Sequence, residues 1–132
     1  MPQPRSETLQ PPANPRDFLL AAQNPDGGWG YYPRKASWLE STCWAALALG
    51  RDAASEKAFA LIRSWQLPSG AWKPAARIGE PSWATALALL VHSVRDIHDQ
   101  PYRRSLAWLL AAERPEGDLL GRKVWFRPGK RQ

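Results

Sequence analysis

A chain of 132 residues with 44% apolar content is one domain by size and can form a core, though a small one. Five of its 18 basic residues lie in the last eleven, where there are no acids, so the net charge of +6 belongs to a tail and the rest of the chain is nearly balanced. One cysteine excludes an internal disulfide framework, Met1 to Pro12 lacks the apolar stretch of a signal peptide, and no apolar run reaches the roughly eighteen residues of a membrane span. The expectation is a soluble cytoplasmic protein.

In chain order, residues 1–13 form a flexible tail, because prolines at 2, 4, 11 and 12 deny helix and ladder hydrogen bonds. A first helix opens with Asn14 as N-cap and Pro15 at the first helical position and runs to about Gln23, with Phe18, Leu19 and Ala22 on its apolar face. A second helix begins with Ser37 and Glu40 in capping-box register and closes at Gly50. The third runs from near Asp52 to near Gln66, with Ala58, Phe59, Ile62 and Trp65 in one stripe. A fourth covers about Pro81 to Val94 and a fifth about Asp99 to Glu113. The first, third and fifth are amphipathic; the second and fourth are apolar nearly all round, as for helices with neighbours on most sides. The expected domain spans residues 14–120, followed by a basic tail over 121–132.

A cassette occurs twice in register: Gln23, Gly27 and Trp29, then Gln66, Gly70 and Trp72, each displaced by 43 residues. Apolar pairs precede each Gln (Phe18 with Leu19, Leu61 with Ile62), and a Thr follows nineteen residues later (Thr42, Thr85), heading an Ala/Leu run. A worn third copy shows Trp108, Leu109, Glu113 and Gly117, with Leu119 in place of Trp. Such a period signals a repeat architecture. A Gln at a helix end can satisfy orphan carbonyls of its own helix or free amides of a neighbour, and a Trp six residues on can lie over that amide, so together they join adjacent repeats.

These residues closely resemble the QW motif of the squalene-hopene cyclase and oxidosqualene cyclase family and of the related prenyltransferase β-subunit repeats. The resemblance covers roughly residues 15–119, without the motif's leading basic-Gly pair. It implies an all-α partial α/α toroid of five helices, outer and inner in alternation around a cavity, and the two and a half helix pairs here leave an arc with two open ends. Triterpene cyclases of the protonating kind use Asp-x-Asp-Asp, and ionising terpene synthases use Asp-rich magnesium sites. Asp96-Ile97-His98-Asp99 fits neither, and the residue two before Cys43 is Ser41, not the Asp of a prenyltransferase zinc pair. No catalytic residue, cofactor or metal ligand is assigned, and the chain leans away from being an enzyme by itself.

Six residues in the long loops or at inner-helix starts, Tyr31, Tyr32, Trp38, Lys73, Arg77 and Trp83, are candidates to line a groove for a peptide or an apolar anion, against plain loop packing. His92, on an apolar helix, reads as a core histidine. The tail residues Arg122, Lys123, Trp125, Arg127, Lys130 and Arg131 suit nucleic-acid phosphate or an anionic membrane surface, or serve solubility. Three functions stay open: a non-catalytic module that binds a protein partner or self-assembles; a subunit of a terpene cyclase or prenyltransferase-like enzyme completed by another chain; and a nucleic-acid-binding accessory protein. A small apolar ligand is a further possible partner.

Overall fold

The computed structural model describes residues 14–112. The Pro-rich N-terminal segment, the third cassette at Glu113, Gly117 and Leu119, and the basic tail lie outside the described residues. Within them the chain is all-α, with α1 (Pro15–Ala22), α2 (Leu39–Leu49), α3 (Ala53–Ser64), α4 (Thr85–Val94) and α5 (Gln100–Ala112). Three isolated bridges, Trp38 with Ala75, Gln66 with Trp72 and Ala75 with Ile78, tie loops together without forming a sheet.

Local chemistry sets several boundaries where the sequence places them. Asn14 Oδ1 accepts from Arg16 N at 2.9 Å with Pro15 at the first position, and Asp52 Oδ1 accepts from Ala54 N at 2.8 Å at the start of α3. Two starts differ. No capping box forms at α2, whose N-cap is Trp38 without a side-chain cap bond. Ser37 Oγ instead donates to Asp26 Oδ1 (2.7 Å) and accepts from Asn24 Nδ2 (3.0 Å), while Glu40 accepts from Tyr31. α4 begins at Thr85 rather than Pro81, because Ser82 N is committed to Trp72 O (2.9 Å) and Ser82 Oγ holds Ala84 N (3.0 Å) in a turn.

The main core joins α2, α3 and α4 through Leu39, Cys43, Phe59, Ile62, Trp65, Trp72, Leu87, Ala88 and Val91, with Tyr102, Leu106 and Leu109 of α5 packed against it. A smaller cluster, Trp29, Ala45, Ala46, Leu49 and Ala58 with Leu19 and Ala22, seats α1 on α2 and α3. The α3 stripe is buried as its periodicity predicts. Contrary to expectation, Phe18 of α1 is half exposed, and the apolar helices α2 and α4 are not covered all round: Trp44 and Ala48, and Ala86, Leu90 and Val94, face solvent.

The two cassettes make the same bonds. Gln23 Nε2 donates to Gly27 O and to Ala54 O in the first turn of α3, both at 2.9 Å; Gln66 Nε2 donates to Gly70 O (3.1 Å) and to Pro101 O in the first turn of α5 (2.7 Å). Trp29 N donates to Thr42 Oγ1 and Trp72 N to Thr85 Oγ1, each at 3.0 Å, and each hydroxyl lies within 3.4 Å of the same Trp carbonyl. Gly27 and Gly70 have φ of 97° and 100°, which admits the tight turn before each Trp. An ion pair also recurs: Arg16 with Asp52 before α3, and Arg63 with Asp99 (2.7 Å) before α5. The amide of each Gln thus donates to carbonyls at the start of the next odd-numbered helix, and does not accept from free amides there.

His92 is fully buried between Phe59 and Trp72, with ring centroids 4.7 and 5.1 Å away. Arg63 is a permanent cation, so its Nη1, 3.2 Å from His92 Nε2, donates, and Nε2 must accept. Nδ1 then carries the proton and donates to Ala88 O at 2.6 Å, giving a neutral core imidazole. Burial, reinforced by the Arg63 and Arg95 charges, holds its pKa below the ordinary 6.5 despite the opposing Ala88 bond and Asp99. The unfolded state therefore binds the extra proton first, and stability present above about pH 6.5 is lost as pH falls through that value, by up to about 1.4 kcal/mol per unit. Urea unfolding at pH 7, 6 and 5 should show this decline, and His92→Gln should flatten it; equal slopes in both proteins would remove His92 from the account.

Candidate functional site

The two long loops are laid side by side by backbone bonds. Leu39 N donates to Pro74 O (2.8 Å) between them, while bonds from Trp38 N to Trp29 O (2.9 Å) and from Lys73 N to Trp65 O (3.1 Å) close each loop on itself. This brings the start of α2, the start of α4 and one face of α5 around a pocket of about 300 Å³. Its aromatic lining is Tyr31, Trp38, Trp83 and Trp108, with Glu40 the acidic group and Pro74 and Pro81 completing the wall. Tyr31 and Trp38 rings stand 5.6 Å apart, tilted by 41°. Tyr31 Oη donates to Glu40 Oε2 at 2.7 Å; partial burial, followed by that bond and the Glu40 charge, pushes the phenol up to about 12, so it stays a donor at physiological pH.

Of the six groove candidates, the pocket gathers Tyr31, Trp38 and Trp83. Tyr32 lines a neighbouring cleft of about 510 Å³ between α1 and α2, with Phe18, Leu19, Trp29, Trp44 and Ala48 among its other walls. Lys73 and Arg77 line neither; Lys73 Nζ donates to Ala76 O (3.1 Å) and Arg77 is exposed. Among the described residues the charge in the pocket wall is therefore acidic, where the sequence offered a groove for a peptide or an apolar anion. Glu40 and Trp108 were not read as lining residues. Glu40 carried a signal, since it lies nine residues after Tyr31 at the far end of one loop, but its capping-box spacing offered a local alternative.

Among the described residues, the acids and the thiol that the sequence singles out have these surroundings. Arg63 holds the Asp99 carboxyl below the usual carboxylate range, and Asp99 also accepts from Tyr102 N (3.4 Å) at the start of α5. Asp96 Oδ1 lies 3.5 Å from His98 Nδ1. Burial pushes the Cys43 thiol up to about 12. Among the described residues no three of His, Cys, Asp and Glu cluster with metal-ligand geometry, and no helix is long and apolar enough to cross a membrane.

Over 61 residues, 42% of this chain, the sequence is 41% identical to a drimenyl diphosphate synthase of Streptantibioticus cattleyicolor. No family model matches the chain, and no solved structure matches it. The similarity is to part of a terpene synthase, and the aligned stretch spans 11% of that protein's length.

Proposed function

We propose that this chain is a non-catalytic α/α repeat module of terpenoid-cyclase type, an arc of a toroid with α2 and α4 as its inner helices. It works by docking another polypeptide against those helices, in the simplest case a second copy of itself. One observation carries the reading. In the 43-residue register Cys43 and Leu47 of α2 correspond to Ala86 and Leu90 of α4. Cys43 is fully buried and Leu47 packs on the cluster containing Leu87, Ala88 and Val91, whereas Ala86 is exposed and Leu90 is 44% exposed. The position that α4 covers on α2 is thus uncovered on α4 itself among the described residues, and Val94 extends the same apolar stripe. In a repeat array each unit buries this flank against the next, and exposed apolar patches of this kind mark interfaces.

The double variant Ala86→Glu with Leu90→Glu tests the docking face. Both positions are solvent-exposed, so the helical signal should persist, while self-association of the parent chain should be lost. An unchanged mass distribution would place the contact elsewhere.

The similarity to a diphosphate synthase favours a second reading, in which the module supplies an aromatic wall and another chain supplies the acid. It gains support if an isoprenoid diphosphate is turned over only when a second cassette-bearing chain is added. Turnover by the isolated chain above a heat-killed control would contradict both readings.

A further inference from the structure

We infer that the 300 Å³ pocket is a binding site for a small organic cation of the quaternary or alkylated ammonium type. Four aromatic side chains, Tyr31, Trp38, Trp83 and Trp108, line it from two loops and α5, and among the described residues the single charged lining group is the Glu40 carboxylate. Aromatic faces carry negative potential, and tryptophan gives the strongest attraction to a cation that has shed its water. A quaternary ammonium loses little on desolvation and offers no proton to bond, so it gains from ring faces and a nearby carboxylate where a hydrated ion would not. The volume is at the low end for small-molecule sites, which suits a headgroup rather than a long chain.

Two further features favour a cation over the alternatives. The Tyr31 hydroxyl donates to Glu40, which fixes the carboxylate at the pocket wall without neutralising it. The nearby basic residues are turned to other uses: Lys73 caps a loop carbonyl, and Arg77 is exposed and outside the lining. An anion would meet the Glu40 charge with no compensating cation among the described lining residues, and a neutral apolar molecule would leave that charge without a counter-ion. The described lining residues include none of Ala86, Leu90 and Val94, so the site is separate from the open face of α4.

The test compares three probes of nearly equal shape by calorimetric titration of the full chain: choline, its neutral isostere 3,3-dimethylbutanol, and the anionic 3,3-dimethylbutanoate. Choline should bind saturably and about tenfold more tightly than the neutral isostere, with the anion weakest. Glu40→Gln, which conserves side-chain size, should remove most of that preference while leaving the neutral probe unchanged. Trp83→Leu, at a position already 53% exposed, should weaken choline more than the neutral probe without altering the thermal midpoint. Equal affinities for choline and the alcohol, a preference for the anion, or no saturable choline binding would each overturn the assignment. None of these outcomes bears on the docking of α4, which the mass measurements address separately.

Discussion

Trp72→Ala is expected to destabilise the fold by about 3 to 5 kcal/mol, the usual range for truncating a buried large aromatic. Trp72 is completely buried, the largest side chain to be so among the described residues, and belongs to the cluster that holds α2, α3, α4 and α5 together. Its indole Nε1 has no hydrogen-bond partner among the described residues, so the loss is one of packing: a cavity opens beside Ile62 and His92, and the His92 ring loses a neighbour at 5.1 Å. The backbone bond from Trp72 N to Thr85 Oγ1 survives the substitution, which keeps the start of α4 in place. A loss of that size is a large share of the whole stability of a domain this small. Thermal or urea unfolding decides the matter, and a variant as stable as the parent would show that the indole does not hold this core together.

Gly70→Ala should be nearly as damaging although it adds one methyl group. The backbone at Gly70 has φ of +100°, and an added Cβ would lie 2.5 Å from Arg104 O and 2.8 Å from its carbonyl carbon. The handedness penalty is roughly 1–2 kcal/mol and displacement of a packed element roughly 1–3 kcal/mol, so a total of about 2 to 5 kcal/mol is expected. The obstruction is helix backbone rather than a flexible side chain, so α5 must move, and with it Pro101 O, which Gln66 Nε2 holds at 2.7 Å. Gly79→Ala is the control, because its Cβ would meet nothing within 4 Å. Comparable melting points for the two alanine variants would mean that the turn does not position α5.

What the sequence revealed was what local chemistry decides. Asn14 with Pro15 and Asp52 with Ala54 are contacts between near neighbours, and the structure has both. The spacing of Gln, Gly and Trp likewise marked where two segments make identical bonds, because those bonds close over four residues as well as across helices. Ser37 and Glu40 carried an equally good local signal and lost it to distant partners, Asp26 with Asn24 and Tyr31 respectively. Thr42 and Thr85 were visible only as regular features; that each hydroxyl serves a Trp thirteen residues earlier needed the fold. The candidate site was half legible for the same reason. Aromatic residues in loops advertise a pocket, but which charge accompanies them depends on how two loops align, and that alignment is set by pairings such as Leu39 N with Pro74 O.

Apolar composition alone did not fix the fate of α2 and α4. A helix apolar nearly all round asks for neighbours on most sides, yet α4 finds α2, α3 and α5 and keeps Ala86, Leu90 and Val94 open among the described residues. Sedimentation equilibrium of the unmodified chain across micromolar concentrations shows whether another polypeptide answers that demand. A concentration-dependent rise above the 14.8 kDa of a single chain, abolished by Ala86→Glu with Leu90→Glu, is the outcome expected of a docking module. A single 14.8 kDa species at every concentration, with no enhancement of a dye that reports exposed apolar surface, would contradict it.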